Sequence, residues 1–309
     1  CLLLDVMKQT YHIALTQEEI EQVKRYIHPG PKDTGFRYQI VANLVNGIDV
    51  DKFDYLCRDT YNIGLEYTYD YSRIIRQARV IDDMICYPHK IARDLYLMFY
   101  TRYKLHREIY NHPVVKAIEY MVSECLLLVN DIFHFLEKTI SLEFVHFNDY
   151  ILEIIKHYPE DLLTVEQVER LRKAKQILYN IDIRKLYRCV GELQFPILED
   201  HKTVIETIQT KILDEFIQYD LTLSRQDFIV QKVYLGYEQL DKNPLESIYF
   251  YKVQDLQTKY KLHERDRQNY LPKEMEIVSL RFFSKNLVIP KEFARTIISH
   301  YQETIQIYE

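Results

Sequence analysis

Tryptophan is absent from this 309-residue chain, and glycine occurs only six times. So little glycine leaves no room for the common phosphate-cradling loops: neither G-x-x-x-x-G-K-[ST] nor G-x-G-x-x-G is present. The five cysteines, at 1, 57, 86, 125 and 189, include no C-x-x-C pair. That pattern argues against a zinc–cysteine site and for reduced thiols in an intracellular protein, nuclear or cytoplasmic. The longest strongly apolar run, CLLLV at 125–129, is too short to cross a bilayer, so no membrane partner is expected. Positive charge is not in excess either: 40 Lys and Arg against 46 Asp and Glu give a formal charge of −6. A surface coated for nucleic acid is thereby disfavoured, while a local basic site stays compatible. The chain begins with Cys1 and no methionine, from which we expect the natural amino terminus to lie upstream.

What is present is an ordinary globular composition, 47% apolar and 28% charged, with 27 tyrosines. The first two-thirds reads as helix after helix. TQEE (16–19) and TVEQ (164–167) are capping boxes that open helices running to about Ile27 and Leu178. NGID (46–49) is a turn in which Asp49 can cap an acidic helix start. Residues 93–112 form a long helical stretch stopped by Pro113, which can itself start a helix over roughly 113–138. ETIQTKILDEFI (206–217) keeps helical periodicity. After about residue 222 the pattern changes: DFIVQKVYLGY (227–237), SIYFYKV (247–253) and EIVSLRFFS (276–284) read as strands, and KEFARTIISHYQETI (291–305) returns to helix. The expected fold is mainly α, a helical body over 1–221 with a small α+β lobe over 222–309.

Three constellations could carry chemistry. In NGIDVDKFDYLCRD (46–59), Asp51, Tyr55 and Asp59 stand at i, i+4 and i+8, so they line one strip of a helix, with Lys52 at its edge. Two carboxylates, a phenol and an ammonium so placed suit a metal and a phosphorylated sugar; a solvated charged face is the competing account. Arg102, His106 and Tyr110 repeat that spacing, suited to a terminal phosphate or to plain packing. Arg184 and Arg188, one turn apart if helical, suit an anion or an ordinary surface.

NGIDVDKFDYLCRD resembles the signature of the deoxynucleoside triphosphate (dNTP) triphosphohydrolases that combine a sterile alpha motif with an HD domain. The likeness continues in order through YDYSRIIRQARV (69–80), LYLMFYTRYKLHREIYNH (95–112), IRKLYRCVGE (183–192), DFIVQKVYLGYEQLDKNP (227–244) and PKEFARTIISHY (290–301). It is weaker at about 113–175 and 255–288. The resemblance implies the carboxy-terminal part of an HD-type phosphohydrolase, incomplete at its amino end, cleaving a dNTP to deoxynucleoside and inorganic triphosphate. It implies Asp51 as a ligand of a divalent metal (Zn, Fe or Mg), Lys52 and Arg102 on the triphosphate, and Tyr55 against the sugar. Asp59 would accept from the 3′-hydroxyl, and His106, Tyr110 and Asn111 would border the substrate. Asn111 stands where glutamine is more usual.

The family is activated by GTP and a dNTP bound between subunits of a dimer-to-tetramer oligomer. Arg184 and Arg188 match the pair gripping the first nucleotide; Asp70, Arg73, Lys90 and His112 match the second site. Pro88, Asp94 and Pro113 replace an arginine, an asparagine and a lysine there, which implies weaker dNTP activation. The HD ligands lie upstream of the matched region, and none of the eleven histidines here precedes an aspartate. The fragment alone is therefore expected to be inactive. Two rival expectations are a non-catalytic nucleotide-binding regulatory or oligomerisation subunit, and a weak binder of single-stranded nucleic acid through 100–110 and 181–188.

Overall fold

The structure is a computed structural model. It describes all residues except 1, 67–68, 140, 142, 144–145, 196–200, 237–242, 269–276, 287–288 and 307–309. It is mainly helical with a smaller α+β part near the carboxy end, as expected. Two compact units interleave along the chain. The first comprises Ile13–Glu108 with Leu235–Glu276; the second comprises Leu2–His12, Ile109–Tyr234 and Ile277–Glu309.

Helix α1 (Leu2–Tyr11) is part of the second unit. The first unit holds α2 (Gln17–Ile27), α3 (Val50–Asn62), α4 (Tyr71–Gln77), β1 (Arg79–Ile81), β2 (Met84–Pro88) and α5 (Ala92–Leu105). In α2 the capping box is complete: Thr16 Oγ1 accepts from the Glu19 amide, and the Glu19 carboxylate accepts from the Thr16 amide at 2.8 Å.

The second unit continues with α6 (Pro113–Leu128), α7 (Asn130–Phe133), α8 (Phe135–Lys138), α9 (Ile151–His157) and α10 (Val165–Asp182). It adds β3 (Arg188–Phe195), α11 (His201–Tyr219) and β4 (Phe228–Leu235). The return to the first unit gives β5 (Tyr249–Lys252), β6 (Asp255–Tyr260) and α12 (Glu264–Gln268), before β7 (Ile277–Ser284) and α13 (Lys291–Gln306) close the second.

The first unit's sheet has the order β1-β2-β5-β6, with β2 and β5 parallel and the other pairs described antiparallel. The second unit's sheet has the order β3-β7-β4. One face of that sheet buries Leu193, Phe195, Leu280 and Phe282 against Phe216 of α11 and Ile298 of α13. Gly191 lets α13 approach: a Cβ there would collide with the Ile298 side chain. A separate helical core joins Cys125, Ile155, Leu171, Ala174 and Leu178 of α6, α9 and α10.

Several helix expectations need correction. Strands β1, β2 and β3 lie inside the first two-thirds of the chain, where a succession of helices and no strand is expected. The β1–β2 hairpin turns on Asp82 and Asp83, both with positive φ (47° and 58°), which is the backbone of a tight hairpin turn usually marked by Asn-Gly. Helix α5 stops at Leu105 and passes into a π-helical turn, His106–Tyr110. The helix expected over 113–138 is broken after Leu128 and again at His134, which takes φ 54°. Helix α10 runs one turn beyond Leu178, to Asp182.

Candidate functional site

Helix α3 is built from its amino end by buried polar groups. Asn43, Asn46 and Asp49 are each less than one-tenth exposed. Asn43 Nδ2 donates to Asn46 Oδ1 at 2.7 Å and to Ile48 O at 3.0 Å, while Asn43 Oδ1 accepts from the Val45 amide at 3.0 Å. Asp49 then divides its carboxylate. Oδ1 caps the helix by accepting from the Lys52 amide at 3.0 Å, and Oδ2 accepts from the Asn43 amide at 3.0 Å. The Lys52 ammonium sits 3.4 Å from the same Oδ2. At the other end Gly64, with φ 71°, takes the left-handed turn that stops the helix, and the Leu65 amide donates to Thr60 O.

Asp51, Tyr55 and Asp59 all fall within this one α-helix. At 3.6 residues per turn, four residues advance the side chain by about 40° beyond a full turn. The strip therefore slants from the exposed side toward the buried side formed by Phe53, Leu56 and Thr60. Burial follows that slant: Asp51 is exposed, and Tyr55 and Asp59 are half-buried. Asp54 and Arg58 form an ion pair with each other one turn apart on the exposed side. Behind the helix, burial pushes the Cys57 thiol up, with Tyr69 Oη 3.7 Å from its Sγ.

Among the described residues no three or more His, Cys, Asp and Glu side chains come together as metal ligands. Asp51 offers one carboxylate, so the donor set described does not by itself fit a divalent ion.

The remaining sequence candidates are distributed as follows. Arg102, half-buried on α5, donates to Gly236 O at 3.3 Å. His106 begins the π-helical turn and Tyr110 ends it, so the i, i+4, i+8 register does not hold beyond Leu105. Arg102 and His106 belong to the first unit, and Tyr110 and Asn111 to the second. Asn111 O accepts from Arg281, and His112 caps α6, its Nδ1 accepting from the Val114 amide at 3.3 Å.

In the first unit Asp70 caps α4 by accepting from the Arg73 amide at 2.9 Å, and Arg73 Nη1 lies 2.7 Å from Asp94 Oδ2. Lys90 is exposed in the turn between β2 and α5, just after buried Pro88. Arg184 and Arg188 do not share a helix. Arg184 is exposed with φ 60° in the turn after α10, and Arg188 opens β3 and donates to Ile289 O.

Sequence reading missed three polar residues that shape these surroundings, Asn43, Glu192 and Arg281, and took Asn46 only as part of a turn. Asn43 and Asn46 lie close before α3, where an N-x-x-N spacing was a visible turn signal. Glu192 and Arg281 are an ion pair, Oε2 to Nε 2.8 Å, across β3 and β7. No local signal joins residues so far apart in the chain.

No family model matches the chain. Over 260 residues it is 32% identical to the deoxynucleoside triphosphate triphosphohydrolase SAMHD1 homolog of Dictyostelium discoideum, covering 83% of this chain and 48% of that protein. The deoxynucleoside triphosphate triphosphohydrolase SAMHD1 of Danio rerio is 33% identical over 272 residues, 82% of this chain and 42% of its own. That of Bos taurus is 32% identical over 289 residues, 87% and 48% respectively. The chain is thus homologous to these proteins over most of its length, and it spans about half the length of each. No helix among the described residues is long and apolar enough to cross a membrane.

Proposed function

We propose, from that homology, that the chain is part of a dNTP triphosphohydrolase, which adds water to a dNTP and releases a deoxynucleoside and inorganic triphosphate. The observation that carries the reading is α3: one doubly anchored helix bearing Asp51, Tyr55 and Asp59 on a single strip, with Lys52 fixed at its amino end. A substrate with roughly four negative charges needs cations to accept a further oxyanion in the transition state. Lys52 and Arg102 are assigned to the triphosphate. Tyr55 walls the deoxyribose where a 2′-hydroxyl would have to fit, and Asp59 accepts from the 3′-hydroxyl. His106, Tyr110 and Asn111 border the remainder of the nucleotide.

Asp51 is assigned as one ligand of a divalent ion that supplies Lewis acidity when bound. A single carboxylate is a ligand and not a site, so residues 1–309 alone are proposed to be inert. In the full-length protein, Asp51→Asn should cut triphosphate release about 100-fold or more. Release that is unaffected by Asp51→Asn overturns the assignment, and robust metal-dependent release from residues 1–309 alone overturns the incompleteness.

Regulation is proposed on the same basis. Arg184 and Arg188 would receive the phosphates of a guanine nucleotide, and Asp70, Arg73, Lys90 and His112 a second nucleotide, in a dimer-to-tetramer assembly. The ion pair of Arg73 with Asp94 supports a weakened second site, because the carboxylate competes with a triphosphate for the same guanidinium. A non-catalytic nucleotide-binding subunit is the alternative, compatible with Asp51 standing outside any metal-ligand cluster among the described residues. Equilibrium binding of dNTPs by the full-length protein without turnover would select it.

A further inference from the structure

We propose that Arg281 is the positioning residue of the segment Tyr110–His112, so that discrimination among nucleobases is governed from within the three-stranded sheet of the second unit. The inference rests on the reading of Tyr110 and Asn111 as residues that border the nucleotide.

Arg281 lies in β7 directly opposite Glu192 of β3, and only 5% of it is exposed. A guanidinium so buried is tolerated only where its charge and its N–H groups are both met. Nε donates to Glu192 Oε2 at 2.8 Å, and Nη1 donates to the backbone carbonyl of Asn111. One planar fork thus answers a carboxylate and a carbonyl together, which a lysine ammonium does not reproduce.

The carbonyl it holds is one that regular secondary structure leaves over. The π-helical turn ends at Tyr110, and Pro113 opens α6 with no amide hydrogen to donate. The neighbouring residue is pinned as well, since His112 Nδ1 accepts from the Val114 amide. Backbone fixed at 111 and at 112–114 leaves the Tyr110 and Asn111 side chains few orientations. The sheet supplies that constraint through a side chain that need not itself touch a ligand.

A contact that only stabilised the sheet would lower stability and leave base preference alone. The test is the ratio of kcat/KM between the best and the worst of the four dNTPs, measured on full-length protein. Arg281→Met and Glu192→Gln should each shrink that ratio about threefold to tenfold, chiefly through KM, with kcat changed less than about twofold. Arg281→Lys should not restore it. Leu280→Ala, which opens a cavity in the same strand, should lower Tm and leave the ratio as in wild type. An unchanged ratio in folded Arg281→Met overturns the proposal, and so does an equal loss in Leu280→Ala. If Arg281→Met does not fold, Glu192→Gln decides by the same criterion. If the wild-type protein turns over no dNTP, the catalytic reading fails separately, and the ratio of dNTP dissociation constants replaces kcat/KM. A wild-type protein with no base-dependent binding overturns the positioning role too.

Discussion

The two units solve the same problem with interactions of different range. In the first, three of the six buried polar residues described, Asn43, Asn46 and Asp49, lie within seven consecutive residues and converge on the amino end of α3, while Gln39 reaches further, accepting from the Ile85 amide. In the second, the buried polar residues described, Ser279, Arg281 and Ser284, all sit on β7, and Arg281 reaches partners in β3 and at Asn111. The cluster at α3 and the set on β7 both lie beside candidate site residues. What differs is that one arrangement is encoded locally, and the other exists only after distant strands have paired.

That contrast can be broken most severely from the apolar side. Phe282 is fully buried in the second unit, its ring edge-on to Phe216 at 6.0 Å. Phe282→Ala should cost about 3–5 kcal/mol in denaturant unfolding. Hydrogen-exchange protection should fall throughout β3, β7 and α11 together, since one core joins them. Loss of protection confined to β7 would show that the sheet is not cooperative.

Asn43→Ala should cost about 2–4 kcal/mol, because Ile48 O and two backbone amides lose a buried partner. Here the loss should stay local, with exchange protection lowered in α3 and unchanged in α11. A uniform loss in both units would erase the distinction drawn between short-range and long-range control.

The exposed pairs give smaller effects. Asp94→Asn removes the partner of Arg73, whose side chain is about half exposed, so the pair contributes at most about 1 kcal/mol. If Arg73 contacts an activating nucleotide as proposed, the half-saturating concentration of a dNTP should fall by up to about fivefold, read by oligomer formation in the full-length protein. No change would show that Arg73 is not a nucleotide contact.

The effect that vanishes at neutral pH is a pH dependence in the helical core. Burial pushes the Cys125 thiol from 9.0 up to about 11. Between those values the folded protein holds a proton that the unfolded chain has released, so stability is intact below about pH 9 and declines toward 11. Cys125→Ala should make that alkaline decline shallower, measured by urea unfolding across the window.

How legible each element was follows the same division by range. Thr16 with Glu19, Thr164 with Gln167, and Pro113 are local chemical statements, and α2, α10 and α6 start where they say. β4, β5, β7 and α13 were likewise visible in β-branched, aromatic and helical patterning. The β1–β2 hairpin escaped because Asp82-Asp83 occupies a turn whose usual mark is Asn-Gly. The π-helical turn escaped because spacing arguments assume 3.6 residues per turn throughout. For the candidate site, the α3 strip and its Asp49 cap could be drawn from spacing alone. The Arg73–Asp94 and Glu192–Arg281 pairs could not, since nothing near either residue announces its partner.

The parallel pairing of β2 with β5 has a consequence for biosynthesis. Cys86 emerges from the ribosome early and Tyr249 late, with the Ile109–Tyr234 part of the second unit made in between. During that interval β2 offers an unpaired edge, held to β1 alone, while residues 109–234 are still being made. Non-local pairing of this kind slows folding and prolongs exposure of a strand that other chains can capture. Nascent chains stalled before residue 249 should then be the ones that chaperones hold longest.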